Sequence, residues 1–188
     1  MPLRSTDSLA AALGVARDAL TRVDTARLND PTPCHSWDVR ALVNHMVGAP
    51  RVAASRVGVR ETLDDVDFAT GDFVASHDET SEVVLEAFGS PGALKRGVEF
   101  PFGERPGAFL MFFVATDQLA HAWDLARATG DSTDITPGLA IELLDEANRT
   151  VIPGMRGADG EAAFGPVQIA PPGASAADRL AAFLGRTV

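Results

Sequence analysis

The sequence contains a single cysteine, Cys34, which excludes an internal disulfide and every zinc module built from several cysteines. It has no apolar run of membrane-spanning length: the densest, from Phe109 to Ala115, falls far short of the roughly 20 residues that a transmembrane helix needs. The N-terminal segment carries Asp7 and Asp18 and no uninterrupted apolar stretch, so no signal peptide is predicted. These absences together predict a cytoplasmic protein.

Basic residues are scarce. The chain has 26 acidic residues against 16 Lys and Arg, which gives a formal net charge of −10 and a pI near 4.7. An acidic surface repels phosphate backbones and anionic lipid headgroups, so neither nucleic acid nor a membrane surface is expected as a partner. With 188 residues, 46% of them apolar, and no repeat or long linker, residues 1–188 are predicted to form one domain with its own core.

Two common catalytic signatures are also missing. No glycine fingerprint follows a strand and opens a helix, as dinucleotide binding requires, and no Gly-x-Ser-x-Gly elbow occurs. What the chain does have is apolar residues at helical spacing, which predict a mainly α-helical protein organised as a helical bundle. The predicted helices cover about residues 7–28, from 36 onward, 72–88, 106–129, 137–151 and 175–184. A minor strand pair is predicted near residues 98–102 and 167–169.

Three residues of the fourth predicted helix place charge in an apolar stripe. Asp117, His121 and Asp124 share one helix face, because residues three and four apart are neighbours there. Polar groups in such a stripe cost free energy unless a metal ion or a hydrogen-bonded ion pair compensates them. His45 lies at the flank of the second helix's apolar stripe, where it can point into a crevice between helices.

If the second and fourth helices are neighbours, His45, Asp117 and His121 converge as two imidazoles and one carboxylate. Three such ligands with a vacant position are typical of catalytic zinc, and they also suit nickel or non-haem iron. The alternative is a purely structural domain in which Asp117 and His121 hydrogen-bond to each other. Asp124 has two interpretations: it orients a ligating histidine, or it caps a neighbouring helix or pairs with Arg127.

The remaining chemistry-bearing residues favour structural roles. Cys34 begins the second helix, and a helix N-terminus can make a thiol reactive, but a lone cysteine is usually a small buried apolar group. His35, beside Cys34 at the helix entry, and His77, between the polar residues Ser76 and Asp78, are predicted to be exposed. Trp37 and Trp123 are predicted to be core anchors.

Three segments carry a family resemblance. PTPCHSWDVRALVNHMVG (31–48) resembles the first signature of the mycothiol-dependent maleylpyruvate isomerase metal-binding domain family, which belongs to the DinB-like superfamily of four-helix metal proteins. ATDQLAHAWDLARATG (115–130) resembles the matching helix of that family. AFGPVQIAPPGASAADRLAAFLGR (163–186) is similar to the tail of single-domain relatives.

The resemblance implies a DinB-like four-helix bundle in which His45, Asp117 and His121 bind a divalent metal, zinc with nickel or iron as alternatives. It implies mycothiol as a co-substrate in S-transfer or isomerisation of a small electrophile. Asp117 stands where the isomerase has a glutamate, and the chain ends before the isomerase's further C-terminal domain, which argues against activity on maleylpyruvate itself. The alternative is a non-catalytic metal- or ligand-binding bundle. A homodimer formed through the apolar fourth helix is a further expectation.

Overall fold

The computed structural model describes residues 5–58, 66–158 and 161–188. The mainly α-helical class predicted from the sequence is confirmed. Within the described residues the elements are α1 (Asp7–Leu20), α2 (Val39–Val57), α3 (Phe73–Gly89), β1 (Gly97–Val98), β2 (Arg105–Pro106), α4 (Gly107–Thr129), α5 (Pro137–Thr150) and α6 (Ala176–Phe183). Among the described helices, none combines the length and the apolar character that a membrane crossing requires.

Helix α4 lies at the centre of the protein. It packs against α1, α2 and α6, and α2 also packs against α3. Because helices of the same chain surround it, nearly every face of α4 is apolar, and Met111, Phe112 and Trp123 are fully buried. Gly130 ends the helix in the left-handed conformation, with φ of 84°, as its sequence position predicted. The burial of α4 within one chain explains its apolar surface without a dimer contact.

The end of α1 and the start of α2 differ from the sequence prediction. In both places an aspartate side chain caps the helix that follows. Helix α1 ends at Leu20 rather than near residue 28, and the Asp24 carboxylate accepts the Ala26 N–H to begin a short 3-10 turn. Helix α2 begins at Val39, where the Asp38 carboxylate accepts the Ala41 N–H, so Asp38 and not Ser36 is the N-cap.

The minor strand pair forms with a different partner than expected. Strand β1 pairs with β2 in antiparallel register, Gly97 opposite Pro106, through a turn in which Gly103 has φ of +100°. Residues 167–169 form no strand, and Ile169 is 96% exposed. Instead, the Gln168 N–H donates to the Ala182 carbonyl of α6 at 2.9 Å, and nearby prolines lack the N–H groups that a strand ladder needs.

The prediction that His77 is exposed is wrong. His77 is fully buried, and its Nε2 lies 3.1 Å from Oε1 of Gln118, whose Nε2 donates to the Met46 carbonyl at 3.2 Å. This polar chain joins α3, α4 and α2 through Gln118 and Met46, which follow Asp117 and His45 in the sequence. Burial lowers the pKa of His77 below its usual 6.5, more than the hydrogen bond to Gln118 raises it.

Acidification below pH 6.5 is expected to destabilise the protein through His77. The unfolded chain takes up a proton at the usual pKa of 6.5, whereas the folded chain holds His77 neutral, so the free energy of unfolding falls as pH falls toward the lowered pKa. His77→Gln keeps an amide donor and does not titrate. Its free energy of unfolding is expected to depend on pH less steeply than that of wild type, by up to about 1.4 kcal/mol per pH unit. Urea unfolding of both proteins between pH 5 and pH 7 measures the difference, and parallel profiles would contradict the prediction.

Candidate metal centre

The structure brings His45, Asp117 and His121 together, as the contact between α2 and α4 allows. One ligand atom from each residue lies within 4.8 Å of the other two. His45 Nε2 lies 3.1 Å from Asp117 Oδ2, and His121 Nε2 lies 3.2 Å from Asp117 Oδ1. His121 is almost fully buried, while His45 and Asp117 are partly exposed.

These separations fit the donor set of a tetrahedral metal ion. Zinc bonds of about 2.1 Å to nitrogen and oxygen place neighbouring ligand atoms about 3.4 Å apart. One oxygen of Asp117, Oδ1, lies 3.2 Å from Nε2 of His45 and 3.2 Å from Nε2 of His121, close to that value. The shorter side chain of Asp117, compared with glutamate, therefore still reaches both histidines.

Without a metal ion the three residues form a charged hydrogen-bonded cluster. Burial raises the pKa of the Asp117 carboxyl, but the two imidazoles outweigh it and hold the pKa far below its usual range. Burial lowers the pKa of His121, but the charges of Asp117 and Asp124 and their hydrogen bonds to the ring together outweigh it and raise the pKa to about 9. The metal-free site thus holds a proton on His121 at neutral pH.

Asp124 binds the histidine and not Arg127. Its Oδ2 lies 2.9 Å from Nδ1 of His121, which leaves Nε2 of that ring directed toward Asp117. The Arg127 guanidinium lies instead over the Trp123 ring, 5.7 Å from its centroid. A carboxylate on the second ring nitrogen fixes the tautomer that a metal-binding histidine needs.

Arg186 completes this arrangement, and reasoning from the sequence missed it. Its Nη2 donates to Asp124 Oδ2 at 2.9 Å and its Nε donates to Oδ1 at 3.3 Å. Burial raises the pKa of the Asp124 carboxyl, but Arg186 and His121, through their charges and hydrogen bonds, together outweigh it and keep the pKa below its usual value. The Asp124 carboxylate is therefore ionised and compensated although it is fully buried.

The C-terminal tail reaches the site through a close backbone approach. Leu184 accepts the Gly165 N–H at 3.1 Å, and Gly185 has φ of +107°. A Cβ on Gly185 would lie 2.5 Å from Cα of Gly165, so Gly185 must be glycine for the tail to lie here.

A cavity of about 510 Å³ opens beside the three clustered residues. The helix α4 wall and the C-terminal tail enclose much of it, together with the loop before α2. Residues that line it include Cys34, His35, Trp37, Phe113, Thr116, Phe164 and Arg186.

The loop before α2 contains three residues whose burial was predicted from the sequence. His35 is exposed, as predicted. Cys34 is partly buried on the cavity wall. Trp37 packs partly on the core, as predicted, but its ring also lies 4.4 Å from the His45 ring and 5.4 Å from the His121 ring, between centroids. Trp37 therefore restricts the orientation of both imidazoles.

Comparison with known proteins places the chain in a family. The model of the mycothiol maleylpyruvate isomerase N-terminal domain family matches residues 9–126, which contain His45, Asp117 and His121. The chain belongs to this family. Two uncharacterized proteins, from two strains of Mycobacterium tuberculosis, are each 39% identical to it over 173 residues, 90% of this chain and 90% of the relative.

Solved structures agree on the fold. The chain is similar to crystal structures of the mycothiol-dependent maleylpyruvate isomerase and of a point mutant of it, with TM-scores of 0.53 and 0.54. Sequence identities are 16% and 17%, and the matches cover 72% of this chain. The match spans 65% of the solved isomerase chain, and at this low identity the likeness concerns the shared helical fold alone.

Proposed function

We propose that this protein binds a divalent metal ion, zinc in preference to nickel or iron, through His45, Asp117 and His121. In this proposal α1 to α4 form a DinB-like four-helix bundle, and the site serves a mycothiol-dependent S-transfer or isomerisation of a small electrophile in the cytoplasm. The observation that carries the proposal is the convergence of two imidazole nitrogens and a carboxylate within 4.8 Å at the wall of an open cavity.

The residues present fit a thiol-binding metal site. A bound divalent ion keeps a coordinated thiol deprotonated at neutral pH. His45 and His121 supply neutral nitrogens for the ion, and Asp117 supplies one negative charge. Asp124 holds the Nδ1 proton of His121, and Arg186 neutralises Asp124. The cavity leaves room for a small molecule beside the ion.

Purified protein is expected to contain about one equivalent of zinc, and His121→Ala is expected to contain none, because the loss of one of three protein ligands leaves only two. Elemental analysis of untagged protein after loading at neutral pH and desalting measures this. The exposed histidine variant His35→Ala is the matched control and is expected to retain the metal. If wild type holds no metal after loading, the proposal is overturned, and Asp117 and the two histidines are only a hydrogen-bonded cluster.

Thiol binding separates a thiol-dependent enzyme from a bundle that only holds metal. Zinc-loaded protein is expected to bind mycothiol, whereas the chelated protein and His121→Ala are not. Titration calorimetry measures binding without any knowledge of the electrophile. Stoichiometric zinc with no affinity for mycothiol would overturn the mycothiol-dependent activity and favour the non-catalytic alternative.

A further inference from the structure

Helix α4 opens to the cavity at two residues. From Gly107 to Ala126 every residue of the helix is buried except Phe113 and Asp117, which are partly exposed. Both line the cavity beside the candidate metal centre. Residues four apart on a helix lie on the same face, with Cβ atoms about 5–6 Å apart. Phe113 is therefore the direct neighbour of Asp117 along the cavity wall.

A second aromatic ring extends this apolar wall. The ring of Phe164, which also lines the cavity, lies 5.4 Å from the Phe113 ring between centroids. Phe164 belongs to the segment between α5 and α6, so two separate parts of the chain supply the pair. An apolar ligand that covers a partly exposed ring removes it from contact with water, and this favours binding. The wall next to Asp117 is therefore suited to the apolar part of a small molecule.

The cavity keeps little positive charge for an anionic ligand. Among the described residues that line it, Arg186 is the one arginine or lysine. Its Nε and Nη2 donate to Asp124 and its Nη1 donates to the Leu184 carbonyl at 3.5 Å, so each nitrogen already has an acceptor. In the proposed site, Asp117 and a bound thiolate balance the two charges of the metal ion. Glu161, an exposed lining residue, adds a negative charge. A dicarboxylate therefore loses hydration here without gaining a free cation.

We propose that Phe113 is a specificity-determining residue through which the site selects neutral electrophiles with an aromatic body over dicarboxylates. The inference rests on the proposed function and deepens it by naming the class of electrophile. The aromatic body of such a molecule packs on Phe113 and Phe164, and its reactive end extends along the same wall to Asp117. Offset or edge-on contact between aromatic rings adds to the effect of the apolar area alone.

Three unreactive analogues separate aromatic character from charge. Methyl 3-phenylpropanoate is neutral and aromatic, dimethyl succinate is neutral without a ring, and succinate is a dianion. Ligand-observed NMR titration measures their affinities for zinc-loaded protein saturated with mycothiol. Wild type is expected to bind methyl 3-phenylpropanoate about tenfold or more tightly than succinate, with dimethyl succinate between them.

Variants of Phe113 test whether its ring is responsible. Phe113→Ala is expected to weaken binding of methyl 3-phenylpropanoate about three- to tenfold, because the aromatic contact is lost, and to leave the affinity for succinate unchanged. Phe113→Leu keeps an apolar side chain against Phe164, so it carries the same test if the alanine variant does not fold. Phe102→Ala removes a partly exposed ring outside the cavity lining and is expected to bind all three analogues as wild type does.

The outcomes distinguish this inference from the proposed function. Wild type that holds no zinc or binds no mycothiol overturns the proposed function and the inference with it. Wild type that binds both but prefers succinate, or binds none of the three analogues, overturns the inference alone. An unchanged preference in the Phe113 variants also overturns it. Equal losses for all three analogues have the same meaning, since the ring then supports the fold rather than selecting the ligand.

Discussion

Replacement of Arg186 by glutamine is expected to lower the free energy of unfolding by about 3–5 kcal/mol, the usual cost of removing one partner of a buried ion pair. Asp124 is fully buried, and the Arg186 side chain, 13% exposed, donates to both of its oxygens. Without the guanidinium the fully buried carboxylate keeps only the contact with His121 and loses its compensating charge. Urea unfolding of the metal-free protein at pH 7 measures the loss.

A surface pair of similar geometry provides the control. Arg17 donates to both oxygens of Asp78, at 2.6 and 3.1 Å, but both side chains are 45% exposed. Arg17→Gln is expected to cost far less, because water solvates the remaining carboxylate. Equal losses in the two variants would mean that Arg186 does not compensate a buried charge. Asp124→Asn combined with Arg186→Gln is expected to recover part of the loss, since the double variant leaves no unpaired charge.

Much of the fold was predictable from helical periodicity, because this periodicity is a local pattern of residues three and four apart. The apolar stretch that became α4 ends at Thr129, where the sequence predicted it. Helix ends set by competing caps were less predictable: Asp38 displaced Ser36 as the N-cap of α2 although both residues can cap. The choice depends on how the preceding loop lies against the rest of the protein.

Candidate site residues were predictable where they share a helix. The spacing of Asp117, His121 and Asp124 places them on one face, and the hydrogen bonds between them follow that spacing. Arg186 lies 62 residues from Asp124, and its position depends on the path of the tail across the cavity. An arginine near a C-terminus is usually solvated, so one sequence gives no signal that it is buried.

The sequence contained a signal that His77 is buried, but the polarity of its immediate neighbours outweighed that signal in the prediction. Its immediate neighbours Ser76 and Asp78 are polar, and they favoured an exposed position. Phe73, His77, Thr80 and Val84 nevertheless follow helical spacing and are all buried on one face of α3. In a helix the residues three and four apart define the environment of a side chain, and the adjacent ones point elsewhere.

The affinity for zinc is expected to rise about tenfold per pH unit from pH 7 to pH 9 and to level off above it. A histidine ligand must be neutral, whereas the metal-free site raises the pKa of His121 to about 9, so zinc displaces a proton below that pH. The stabilisation of metal-free protein by protonated His121 has the opposite dependence: it is complete below pH 6.5 and is lost as pH rises through 9. Chelator competition at pH 7, 8 and 9 measures the affinity.

Proton release provides an independent check of the same linkage. Calorimetric titration with zinc at pH 7 in buffers of different ionisation enthalpy is expected to show about one proton released from His121 per ion bound. His77→Gln is expected to leave both results unchanged, because His77 contacts Gln118 and none of the proposed ligands. A flat affinity profile without proton release would mean that His121 is already neutral in the metal-free protein. Asp117 would then act there as a hydrogen-bond acceptor rather than as the counter-ion of an imidazolium.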